Sequence, residues 1–93
     1  GVVINGNVRG GGRVHIEHQV TIGAERGQSP VLGNDIFIGA GAKIIGGITL
    51  GDGCRIGANA AVVDDVPAHA TAVGVPARVV GFRHPGESQQ VVA

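Results

Sequence analysis

Residues 32–62 read LGNDIFIGAGAKIIGGITLGDGCRIGANAAV, and an aliphatic side chain returns there at every sixth position: Leu32, Ile38, Ile44, Leu50, Ile56 and Val62. A second apolar or small residue follows each by four places, at Ile36, Ala42, Ile48, Cys54, Ala60 and Val66. Gly33, Gly39, Gly51 and Gly57 come directly after four of the aliphatic residues, and the β-branched Ile45 after a fifth. Upstream the frame runs through Ile4, Ile16 and Ile22, with Val8, Val14 and Val20 four places on and Gly10 as its one gap. A period of six is neither the 3.6 of a helix nor the 2 of a strand. It describes short straight runs joined by corners, wound into a coil whose turns stack. Three hexads to a coil predict a little over three coils, with Ile38, Ile44, Leu50, Ile56, Val62, Cys54 and Ala60 pointing into the lumen.

The frame slips once. Ten residues separate Ile22 from Leu32 where six are due, and the surplus lies in Glu25-Arg26-Gly27-Gln28-Ser29-Pro30. This polar Gly/Pro segment reads as a loop thrown out from a corner, the place where a solenoid carries binding chemistry. After Val66-Pro67 the period is lost. Residues 72–81 read as an extended strand covering the open end of the stack, which exposes unpaired backbone groups and needs a lid. Residues 1–81 are therefore expected to form the β-helical domain with its capping strand, and 82–93 a mobile tail. The chain starts already in register at Gly1-Val2-Val3-Ile4, which reads as a piece of a longer protein.

Composition agrees with a narrow, ring-free lumen. Glycine supplies 18 of the 93 residues and 43% are hydrophobic, yet only Phe37 and Phe82 are aromatic. Seven basic and seven acidic residues give a formal charge of zero. With no basic stripe and no stacking aromatics, nucleic acid is not the expected partner. No apolar stretch is long enough to span a membrane, so none is expected as a partner either. The lone Cys54 cannot form an internal disulfide, which suits the reducing cytoplasm.

Three stretches resemble the hexapeptide-repeat acyltransferases, which fold as left-handed parallel β-helices: residues 38–44 (IGAGAKI), 56–60 (IGANA) and 73–81 (VGVPARVVG). Within that superfamily the chain is most similar to the C-terminal half of serine O-acetyltransferases, a match strengthened by residues 1–5 and 18–23. The resemblance, and not the period, implies the left hand. It also implies an acetyl-CoA-dependent O-acetyltransferase of cysteine biosynthesis, a homotrimer with the cofactor in the groove between neighbouring subunits, and a small-molecule acceptor.

By position in those motifs, the cofactor-binding corners are Gly23-Ala24, Ala40-Gly41 and Gly57-Ala58, where small residues let the pantetheine amides approach the main chain. Arg78 would take a CoA phosphate, since a guanidinium suits phosphate oxygens. The same positions also read as corners that need a positive φ, and Arg78 as a solvated residue. Related enzymes often carry Thr-Lys where this chain has Val63-Asp64. The family's general base, a His oriented by an Asp, would fall upstream of Gly1, and a second family His, just before a Pro, matches Ser29 before Pro30. The catalytic residue is thus unassigned. His18 is a weak candidate, one hexad before the inserted loop, while His15 reads as a face residue and His69 and His84 carry no expected chemistry.

Two other readings remain open, and a third is set aside. The acceptor could be a sugar hydroxyl or an amine, or the β-helix could be a non-catalytic trimeric scaffold. The γ-type carbonic anhydrases share the fold, but they need a third His one coil beyond a close pair, and residues 36–44 contain none; no metal is expected.

Overall fold

The computed structural model describes residues 2–4, 6 and 8–82. The expected tail from residue 83 onward, including His84, lies outside the described residues, as do Gly1 and Asn5. Among the described residues there is no helix, and so none long and apolar enough to cross a membrane. Eleven strands follow one another: β1 (Val3–Ile4), β2 (Val14–Ile16), β3 (Thr21–Gly23), β4 (Val31–Leu32), β5 (Ile36–Ile38), β6 (Lys43–Ile45), β7 (Thr49–Leu50), β8 (Arg55–Ile56), β9 (Ala61–Val62), β10 (Ala70–Val73) and β11 (Arg78–Phe82).

They form the three faces of a left-handed parallel β-helix. Face A stacks β1-β3-β6-β9, and face C stacks β2-β5-β8-β10 with β11 added at its edge. Face B is β4-β7, extended by single bridges from Arg9 to Val31 and from Leu50 to Val66. Four rungs on a face leave three turns between the first and the last. Ile38 pairs with Ile56 and Ile44 with Val62, so equal positions of the repeat lie directly above one another.

Strand alternation turns one residue in two inward. Ile22, Ile38, Ile44, Leu50 and Ile56 are wholly buried, and Val62 and Ala60 nearly so. Cys54 and Ala42 are also wholly buried, and Ile36, Ile48 and Val66 complete the second inward column. Each such aliphatic side chain contributes about 1.5–3 kcal/mol through burial. Together they make the core that the six-residue period demanded.

The corners repeat as well. Arg13, Asp35, Gly53 and His69 take positive φ just before face C, and Gln19, Gly41 and Asn59 do so just before face A. Space around them is tight. A Cβ on Gly39 would stand 2.6 Å from the amide nitrogen of Ala58, and one on Gly51 would meet the backbone of Ala68. The B–C corner is stitched by side chains: Asn34 Oδ1 accepts from Gly12 N at 2.7 Å, and Asp52 Oδ1 accepts from Asn34 N at 2.7 Å. Asp52 thereby lies over Gly33, where a Cβ would collide with it.

The structure departs from the expectations at the carboxy-terminal end. The period is not lost after Val66-Pro67 but shifts by two residues, because Leu50 pairs with Val66 and Ile56 with Ala72. The coil shortens at Asp64-Asp65, where Asp65 Oδ1 accepts from Thr49 N at 2.8 Å and Val66 N donates to Thr49 O at 3.0 Å. A carboxylate oxygen there does the work of a rung carbonyl.

Residues 72–81 are likewise not one extended strand. β10 is itself the last parallel rung of face C, and the chain turns through Gly74–Ala77 to return as β11, antiparallel to β10. Gly74 provides the positive φ (95°) that this reversal needs. β11 includes Phe82, one residue beyond the expected domain end, and all five of its residues are exposed.

The candidate cofactor edge and the inserted hairpin

The corner between faces C and A is a column of small and polar residues: His18-Gln19, then Ala40-Gly41, then Ala58-Asn59, with Gly74 above. Backbone hydrogen bonds tie it rung to rung. Gly41 N donates to His18 O at 3.0 Å, Asn59 N to Ala40 O at 2.8 Å and Ala61 N to Gly74 O at 3.0 Å. The ladder engages the amides of Gly39, Gly41, Gly57 and Asn59, and leaves those of Ala40 and Ala58 outside it. Asn59 folds its Oδ1 over Gly41, where φ is 74° and a Cβ would collide with that oxygen.

Arg78 reaches the same end of the molecule. It opens β11, pairs with Val73, and follows Ala77, whose N–H donates to Ala61 O at 2.9 Å. Val73 in turn covers Gly57, where a Cβ would stand 2.8 Å from Val73 Cγ1. The Arg78 guanidinium is exposed and donates to its neighbour Ala77 O at 3.2 Å. The fold thus gathers Ala40-Gly41, Gly57-Ala58 and Arg78 along one edge.

Gly23-Ala24 falls elsewhere. Gly23 ends β3 on face A and pairs with Ile45, so Gly23-Ala24 leads into the A–B corner, with Gly46 and Asp64 in the rungs above. A repeat motif records position within a hexad and not which of three corners that hexad makes. Val63-Asp64 follows β9 onto the same A–B corner, exposed to solvent.

His18 lies in the column one rung before Ala40 and is exposed. His15 is an outward residue of face C. It stacks on Phe37 with ring centroids 5.1 Å apart and planes within 5°, and lies 3.3 Å from the Glu17 carboxylate. Arg55, the partner of Phe37 on the next rung, sets its guanidinium 4.9 Å from the centroid of the same ring. His69 occupies a positive-φ corner and donates its amide to Asp52 O at 2.8 Å. Among the described residues no three His, Cys, Asp or Glu side chains meet to hold a metal ion.

The insertion is an ordered hairpin. Glu25 and Gln28 exchange backbone hydrogen bonds of 2.9 Å in both directions, around Arg26 and Gly27 with φ of 52° and 77°. Two central residues with positive φ make the tight turn that suits antiparallel strands. A groove runs between this hairpin and the first rung, lined by Gly6, Val8, Arg9, Gly27, Ser29 and Val31. Ser29 was singled out by the motif comparison. Arg9 was not, because in the sequence it is one outward residue among many.

Residues 29–63 match the bacterial transferase hexapeptide repeat family, six repeats long. The chain is 45% identical over 89 residues to the serine acetyltransferase of Mycobacterium tuberculosis, covering 91% of this chain and 39% of that protein. It superposes on Neisseria gonorrhoeae serine acetyltransferase in complex with serine with a TM-score of 0.80 and 41% identity, over 84% of this chain and 33% of that one. A serine acetyltransferase in complex with CoA gives a TM-score of 0.82 and 42% identity, over 86% of this chain and 34% of that one. The chain spans about two fifths of the length of the curated relative it matches. Its stacked hexads and left-handed corners are those of the hexapeptide repeats that residues 29–63 match, and along most of its length the chain is similar to the serine acetyltransferases.

Proposed function

We propose that this β-helix belongs to an acetyl-CoA-dependent O-acetyltransferase whose acceptor is serine, the step that commits serine to cysteine. The observation that carries this reading is the edge on which Ala40-Gly41 and Gly57-Ala58 stack, with Arg78 at its end, in a chain 45% identical to a serine acetyltransferase. Pantetheine is an extended ligand with two amides. A column of small residues whose Ala40 and Ala58 amides stand outside the ladder gives it main chain to bond and no side chain to clash with. Arg78 supplies the charge for a phosphate. In the reaction the acceptor oxygen forms a bond to the thioester carbonyl carbon, the carbon–sulfur bond breaks, and the hydroxyl proton passes to a general base. His18 is the imidazole on this edge and the first group to test in that role.

The site is read as shared between three copies. Val31, Phe37 and Ile45 are outward apolar residues, one on each of the three faces, and Val31, Ile45 and Val63 lie around the A–B corner as a cluster. Packing that corner against neighbours in a threefold ring hides the cluster. It also gives the separated Gly23-Ala24 and Ala40-Gly57 edges a means to face each other across a subunit boundary. A buried cysteine outside any disulfide, Cys54, suits a cytoplasmic enzyme.

Calorimetry with CoA tests the cofactor edge, and a thiol-release assay tests the acceptor. Binding of CoA with serine-dependent release of thiol supports the full reading. Binding with release driven by a sugar or an amine changes the acceptor, and binding without turnover on any acceptor favours a scaffold. Loss of thiol release in His18→Ala with CoA binding intact assigns the base.

A further inference from the structure

We propose that Arg9 is the residue that selects an acceptor bearing a carboxylate, holding it in the groove between the first rung and the inserted hairpin. This rests on the serine-acceptor reading above and deepens it. Gln28 lies over Gly47, where a Cβ would collide with its side chain, and Glu25 places Oε2 3.5 Å from the corresponding position at Gly46. The hairpin is therefore anchored toward the third rung, and Gly27 and Ser29 are left lining the groove on its other side, toward the first rung.

Arg9 is held there by its backbone. Its N–H donates to Pro30 O at 3.3 Å, and Leu32 N donates to Arg9 O at 2.7 Å. Val8 packs against the core, so strand alternation sends the Arg9 side chain outward, beside Val31 with which it is bridged. Of the six groove residues Arg9 is the charged one, and the ion pairs among the described residues, Arg13–Asp35 and His15–Glu17, do not involve it. The guanidinium brings charged donors to the groove, and the serine beside it an adaptable hydroxyl. That set suits a carboxylate, which accepts two parallel bonds from a guanidinium. An acceptor with a hydroxyl alone offers the charge no counterpart. The hairpin that walls the groove leaves the coil directly after Gly23-Ala24, a proposed cofactor corner, which ties the acceptor groove to that corner through the loop.

The test is calorimetric titration of the full chain, with and without CoA, using L-serine and serinol, in which a hydroxymethyl group replaces the carboxylate. Arg9→Ala should weaken L-serine binding roughly ten- to a hundredfold, the range for a lost hydrogen bond to a charged group. Arg9→Lys should recover part of the loss. Serinol should bind wild type weakly and be indifferent to Arg9→Ala, and the CoA affinity should not move. L-serine binding unchanged in Arg9→Ala overturns the assignment while leaving the serine-acceptor reading in place, as does an equal loss for serinol. CoA binding by the wild type with no L-serine binding overturns the serine-acceptor reading itself, and this assignment with it.

Discussion

Gly39 and Gln19 show how differently two corner residues constrain the same coil. Gly39 is needed for space: its missing Cβ leaves room for the Ala58 amide 2.6 Å from where that carbon would stand. Gly39→Ala forces neighbouring rungs apart and should cost about 1–3 kcal/mol, as overpacking does. Gln19 occupies the left-handed region at φ 59° with an exposed side chain, a strain that Gly41 avoids in the next rung. Gln19→Gly relieves about 1–2 kcal/mol of backbone strain against about 0.5–1 kcal/mol of added chain entropy. It should therefore raise the melting temperature slightly. Thermal unfolding of both variants checks the pair, and equal destabilisation would remove the distinction. The hexad period made Gly39 legible as a corner residue. It could not separate a glycine required by its neighbour from a residue merely tolerated with positive φ, since that depends on the rung above.

At the scale of the strand, the stack depends on an unbroken inward column and on closing every rung at its corner. Ile44 is wholly buried between Ile22 and Val62 on face A. Ile44→Asp places a charge there with nothing to pair with, a cost that exceeds the few kcal/mol by which small domains are stable. The variant should show no cooperative unfolding transition by circular dichroism. Asp65 tests the shortened corner more gently. Asp65→Ala leaves Thr49 N–H without its acceptor and should cost about 0.5–1.5 kcal/mol, with Asp65→Asn retaining most of the stability in denaturant titrations. The sequence hid this corner because its signal is a side-chain oxygen standing in for two omitted residues. Beyond it the inward positions Ala70 and Ala72 are small, so the aliphatic beat fades although the coil continues.

For the whole molecule, two measurements bear on assembly and cofactor together. Light scattering at micromolar concentration should return three times the chain mass, and a charge at the A–B corner, Val63→Glu, should shift it toward the monomer. CoA binding should weaken on Arg78→Ala and on adding salt, because an ion pair between exposed groups is weakened by salt. Salt sensitivity that persists unchanged in Arg78→Ala would place the phosphate contact elsewhere.

The residues by themselves determined the solenoid and its lumen, because a six-residue aliphatic beat can be buried only by coils stacked in register. They also determined where a loop leaves the coil, since four surplus polar residues interrupt that beat at one point. Only the tertiary structure decided which corners share an edge. Ala40 and Asn59 lie nineteen residues apart and are joined by a backbone bond, while Gly23-Ala24 ends on a different corner. The same holds for Arg9, an unremarkable outward residue until the hairpin folds across from it and makes a groove. Periodicity specifies what points inward. Neighbours on the outer surface are chosen by the winding of the coil, and they come from rungs that are distant in sequence.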